Sequence, residues 1–342
     1  MRVLLTALLA FVTGGALVMA FEHRDPAGAI QAAAASAAQS TAPASATTLD
    51  ADADNTEPGD NWPALAPSPE QVLYAQPAAL QHALQRMTPR IPGKPNLYLV
   101  AFAGDGGEDV FRNEAEYAAK LFAQRYGSTA HSLVLENNPA TLAAQPLASW
   151  SNLEAALKAL AGVMDPSQDI LMLYVSSHGD EDHNLLVDMD PLPLDQIGAP
   201  DLASILAEQP FKWKVVVVNA CYSGGFIPAI KGAGTLVMTA ARSDRSSFGC
   251  GSDSDITYFG RAWLVDGLNR TPDFIEAFDD ARHEIATWEQ QDRLTPSEPQ
   301  IDIGSGIQAQ LVRWREGIRV GPALPFKPAA TADQGKTLSV KQ

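Results

Sequence analysis

Four consecutive valines, Val215 to Val218 in the run Lys-Val-Val-Val-Val-Asn-Ala (214–220), leave no alternation of apolar and polar residues. A strand of that kind has no wet face. Strands covered on both sides belong mainly to parallel sheets with helices above and below, and β-branched side chains suit that pleated, buried setting. From Asn96 onward the chain keeps the matching rhythm. "NLYLVAFAG", "HSLVLEN", "DILMLYVSS", "KVVVVNA" and "GTLVMTAA" read as successive strands.

Helical spacing fills the gaps. "RNEAEYAAKLFAQRY" carries Ala115, Ala118, Ala119, Phe122 and Tyr126 and is closed by Gly127. "SNLEAALKALAGVMD" offers Ser151 and Glu154 in capping-box spacing, "APDLASILAEQ" places Pro200 in its first turn, and "TPDFIEAFDDARHEIATWEQ" places Thr271 as cap. An earlier helix in "PEQVLYAQPAALQHALQRM" is expected to break or restart at Pro77. The expectation is an α/β fold with a mainly parallel sheet of about six strands covered by helices on both faces.

The ends differ in kind. Residues 1–21 hold nineteen mostly apolar residues, Val3 to Phe21, read as a signal peptide or membrane anchor and hence as export to the periplasm or cell envelope. Residues 22–68 are rich in Ala, Ser, Thr, Pro and Asp and read as a disordered tether; 69–318 is the folded domain and 319–342 a flexible tail. Membrane contact is expected only through the N-terminal segment. Forty acidic against twenty-four basic residues leave a net charge of −16, with no Lys/Arg run, so nucleic acid is not an expected partner.

In open parallel sheets, sites form beyond the carboxyl ends of the strands. "SSHGD" follows the third strand and "NACYSGG" the fourth, so His178 and Cys221 are expected to face each other. The chemistry needs that pair. A free thiol is mostly protonated at neutral pH, an imidazole beside it favours the thiolate, and backbone amides of Cys221 and Gly179 are placed to receive an oxyanion.

These residues resemble the His-Gly and Ala-Cys pair of the legumain family of cysteine peptidases (family C13), within the caspase-like clan. "DVFRNEAE", "HNLLVDMD" and "TLVMTAARSDRSSFGCGSDSDITYFGRAW" are similar to further legumain-type segments, so the resemblance spans residues 96 to about 290. It implies a caspase-like three-layer fold and a peptide or protein substrate, with no cofactor. Cys221 takes the role of nucleophile, His178 of base and Gly179 of oxyanion donor. The implied specificity pocket falls on Arg112, Asn219 and Asp253. Here the family pattern is departed from: Asn219 stands where legumains have glutamate, and Val110 where an asparagine usually precedes the arginine. A small polar side chain before the cut is the resulting expectation, and the overall pattern resembles exported bacterial members.

Other readings compete. The same site could pass its acyl group to an amine, making a transamidase or peptide ligase. "HGDEDH" offers His178, Asp180, Asp182 and His183 as metal ligands, although such a site needs further histidines and downstream only His283 exists. Cys221 and Cys250 could form a structural disulfide in a non-catalytic envelope module. Arg112 could form only a surface ion pair with Glu108 or Glu116, and Asp253 could be a solvated turn residue. Asn269-Arg270-Thr271 matches the glycosylation sequon, a pattern expected by chance in a chain of this length.

Overall fold

The computed structural model describes residues 62–329; the apolar segment 1–21, residues 22–61 of the tether and the tail beyond 329 lie outside the described residues. Helix α1 (Pro69–Gln85) precedes β1 (Leu97–Ala103), α2 (Asp109–Tyr126), β2 (Ala130–Glu136), α3 (Trp150–Ala161) and β3 (Ile170–Ser176). A small hairpin, β4 (Asn184–Leu185) and β5 (Ile197–Gly198), leads into α4 (Ala199–Ala207), β6 (Trp213–Asn219), α5 (Ile227–Ile230) and β7 (Thr235–Thr239). A π-helical segment (Gly260–Gly267) then runs into α6 (Leu268–Arg270), followed by α7 (Phe274–Asp292), β8 (Gln300–Ile303) and α8 (Ile307–Glu316).

Six strands form the main sheet in the order β2-β1-β3-β6-β7-β8, parallel except for β8, which runs antiparallel to β7. Alternate residues of one strand feed two separate cores. Val215 and Val217 pack with α2, α7, α8 and the π segment, whereas Val216 and Val218 pack with α1, α3, α4 and α5. All four valines are fully buried, as the absence of alternation requires. The sixth strand escaped the sequence reading because "QIDI" is short, polar and only half-buried at the sheet edge.

Several local expectations shift by a few residues. Helix α1 runs unbroken through Pro77, because Pro77 and Leu73, whose carbonyl loses its partner, both face solvent. The cap of α3 is Ser149, whose side chain accepts from the Asn152 amide; Glu154 instead accepts from the Trp150 indole. Asp273, not Thr271, caps α7, accepting from the amides of Ile275 and Glu276.

The folded unit also reaches past its expected limits. Trp62 and Ala66 pack on Val72, Leu142, Leu147, Met189 and Leu192, so the tether's last residues are part of the fold. At the other end, residues 319–329 are tied to α2: Arg125 donates to the Gly321 carbonyl, Tyr117 to that of Leu324, and the Ala329 amide donates to Asn113. Asn269 of the sequon is bonded there too, to Tyr117, Val265 and Leu324, leaving its amide no freedom to take a glycan in the folded chain.

Candidate active site

One row of the sheet sets the site. Glu136, Ala103, Ser176 and Asn219 stand side by side across β2, β1, β3 and β6. Two residues beyond that row on three adjacent strands lie Asp105, His178 and Cys221. The backbone keeps the register past the strand ends, since Gly104 donates to the Ser176 carbonyl and Ser177 to that of Asn219. Equal offsets on parallel neighbours bring the three side chains to one crevice.

The two loops touch directly. A Cβ on Gly179 would stand 2.3 Å from the Cys221 carbonyl oxygen, so only glycine lets the histidine loop approach the cysteine loop this closely. Gly225 has the same logic on the other side, where an added Cβ would enter the ring of His183. The histidine loop is held by β4, with Leu186 donating to the His178 carbonyl and Asp180 to that of Asn184. Neither the Gly179 amide nor the Cys221 amide donates to another group among the described residues. Both are free for an incoming oxygen.

Cys221 sits at a tight turn. Tyr222, next in the chain, adopts left-handed backbone geometry (φ 56°), and its amide donates to the Arg245 carbonyl at 2.7 Å. The loop after β7 thus closes over the sulfur. The Ser247 amide donates to Cys221 Sγ at 3.2 Å, and the Ser247 hydroxyl lies 3.6 Å away. Both cysteines are free. Hydrogen bonding from Cys250, helped by Ser247 and by the charge on His178, holds the Cys221 thiol down to about 5, while the same contact raises that of Cys250. With both thiols free, no disulfide joins Cys221 to Cys250 in this structure.

His178 meets acids that the sequence reading did not assign to the site. Its Nε2 lies 3.4 Å from Glu108 Oε2 and 3.5 Å from Asp105 Oδ2, and the Phe111 ring stands edge-on at 5.0 Å between centroids. With Nε2 turned to the carboxylates, Nδ1 is the ring nitrogen left for the thiol. The available signal was "AGDGGED" at the end of the first strand, where Asp105 has the same strand-end offset as the catalytic candidates and Glu108 follows three residues on.

The expected specificity residues are not gathered with this pair. Asn219 is 1% exposed and points beneath the crevice, donating to Glu114, Thr257, Tyr174 and Ser176. Arg112 is buried on α2, donating to Asn138 and paired with Asp109, not with Glu108 or Glu116 on the surface. It lines a cavity of about 520 Å³ with Glu116, Lys120, Thr141 and Lys327, and neither Cys221 nor His178 borders that space. Asp253 is exposed on the 251–256 loop. Helix α2 begins at Asp109, three residues earlier than the sequence pattern placed it, which turns Arg112 inward.

The sequence-proposed metal cluster does not form. Both carboxylate oxygens of Asp180 accept from Asn184, and His183 packs on Gly225. His283 is an exposed residue of α7.

Residues 151–310 match the model of the Peptidase C13 family. Among solved structures, caspase-1 from Spodoptera frugiperda is similar, with 12% identity and a TM-score of 0.44 over 63% of this chain and 88% of that chain. No curated protein matches the chain.

Proposed function

We propose, from the match of residues 151–310 to the model of the Peptidase C13 family, that this chain of cysteine-peptidase type is an endopeptidase acting through Cys221 and His178. The observation that carries the reading is the shared row: His178 and Cys221 lie two residues past Ser176 and Asn219, which pair directly on adjacent strands.

The chemistry follows from the groups. The Cys221 thiolate attacks the substrate carbonyl and the developing oxyanion meets the amides of Gly179 and Cys221. His178 delivers its proton to the departing amine, then activates the water that hydrolyses the thioester. Glu114 is already occupied by four protein donors beneath Asn219, so it offers a basic substrate side chain no partner. A small polar side chain before the cut is the matching specificity, and the apolar N-terminal segment addresses the enzyme to the cell envelope.

Incubating the reduced protein with a peptide library and reading products by mass spectrometry tests the reading. Cleavage should appear, and Cys221→Ala and His178→Ala should each lower it at least about ten-thousand-fold with unchanged thermal unfolding. Cleavage that survives the cysteine change sinks the proposal, and products joined to an added amine would turn it toward transamidation.

A further inference from the structure

Two carboxylates converge on one ring nitrogen. His178 Nε2 carries at most one proton, so it can donate to Glu108 or to Asp105 but not to both. Asp105 has a second partner, since its Oδ1 accepts from the Gly107 amide. Glu108 has none: its Oε2 is buried and accepts no hydrogen bond among the described residues. The arrangement leaves one carboxylate short of donors.

Its dimensions fit a cation. One ligand atom from each of Asp105, Glu108 and His178 lies within 4.8 Å of the other two. Zinc bound tetrahedrally by nitrogen and oxygen at about 2.0–2.2 Å separates neighbouring ligand atoms by roughly 3.3–3.6 Å. The two separations from Nε2 are 3.4 and 3.5 Å. An imidazole with two carboxylates suits zinc better than calcium, which collects six to eight oxygens at longer distance. The ligands also come from held elements: the tip of β1, the residue preceding α2 and the loop pinned by β4.

We propose that Asp105, Glu108 and His178 form a zinc site with a fourth position open to water, and that its occupancy switches the enzyme off. Zinc on Nε2 leaves the proton on Nδ1, so the ring can no longer take a proton from Cys221 or return one to a leaving amine. The inhibitory consequence rests on the peptidase reading; the binding does not.

Equilibrium dialysis against Zn²⁺ of a Cys221→Ala/Cys250→Ala protein separates this site from zinc held by thiolates. One zinc per chain is expected. Adding Asp105→Asn or Glu108→Gln, near-isosteric changes whose folding is checked by thermal unfolding, should weaken binding at least about tenfold, the lower bound seen when even an outer partner of a ligand is lost. In the unaltered protein, zinc should raise the unfolding temperature and suppress cleavage, with both effects reversed by a chelator. Absence of stoichiometric zinc from the thiol-free protein, or binding indifferent to both carboxylate changes, overturns the site. Stoichiometric zinc in a protein that cleaves nothing keeps the site and removes the peptidase reading.

Discussion

Glu114 and the Asp105–Glu108 pair both serve the same strand tips, and the fold treats them in opposite ways. Glu114 is fully buried, and its oxygens accept from Tyr174, Ser176, Asn219 and the Thr257 amide. It therefore ties together the two residues that stand two places before His178 and Cys221. Asp105 and Glu108, above them, share one imidazole proton between them. A carboxylate with every acceptor site filled fixes geometry, whereas one left short of donors stays available for chemistry or a ligand. In this molecule the scaffold is closed and the rim is open.

The contrast can be broken most directly at Glu114. Glu114→Ala should cost about 3 kcal/mol or more, since the buried donors of Tyr174, Ser176, Asn219 and Thr257 lose their acceptor at about 1–3 kcal/mol per unsatisfied group. Urea unfolding measures it, and a cost under about 1 kcal/mol would mean that the network does not hold the strand tips.

A third carboxylate sharpens the comparison. Glu136 ends β2 in the same sheet row, is 1% exposed, and neither of its oxygens accepts a hydrogen bond among the described residues. Burial, with Glu116 adding to it, pushes its carboxyl up to about 7. An acid raised in the folded state costs stability as pH rises, because the unfolded chain ionises there first. The penalty is absent below the unfolded value near 4.5, grows as pH rises between the two values, and is complete above about 7. Glu136→Gln should accordingly stabilise the protein by about 3 kcal/mol at pH 8 and by under about 1 kcal/mol at pH 5, read from denaturant midpoints at each pH. Equal effects at both pH values would contradict the burial account.

The smallest effect belongs to the rim. Glu108→Gln should change stability by less than about 1 kcal/mol, as is typical of partly exposed pairs. A loss comparable with that at Glu114 would erase the distinction between scaffold and rim.

Legibility followed the range of the forces involved. Strand-SHG and strand-NACYSGG could be read directly, because burial on both faces writes itself as an apolar run and parallel neighbours share a register. Helix starts were misplaced where several capping residues stood close together, at Ser149 against Ser151 and at Asp273 against Thr271. Arg112, Asn219 and Asp253 were chosen by motif position, which carries no direction for a side chain. The turn of α2 buried the first, the sheet row buried the second, and the third lies on an exposed loop.

By itself, then, the sequence determined the α/β architecture and the two strand ends that bear the sulfur and the imidazole, since periodicity and local backbone preference act within a few residues. Only the tertiary structure decided which acids meet His178, that Cys250 lies close enough to lower the Cys221 thiol without bonding to it, and that Asn219 looks inward to Glu114. Those are contacts between residues 29 to 105 positions apart in the chain. They exist because strand order folds distant segments into one row, and no local preference encodes that adjacency.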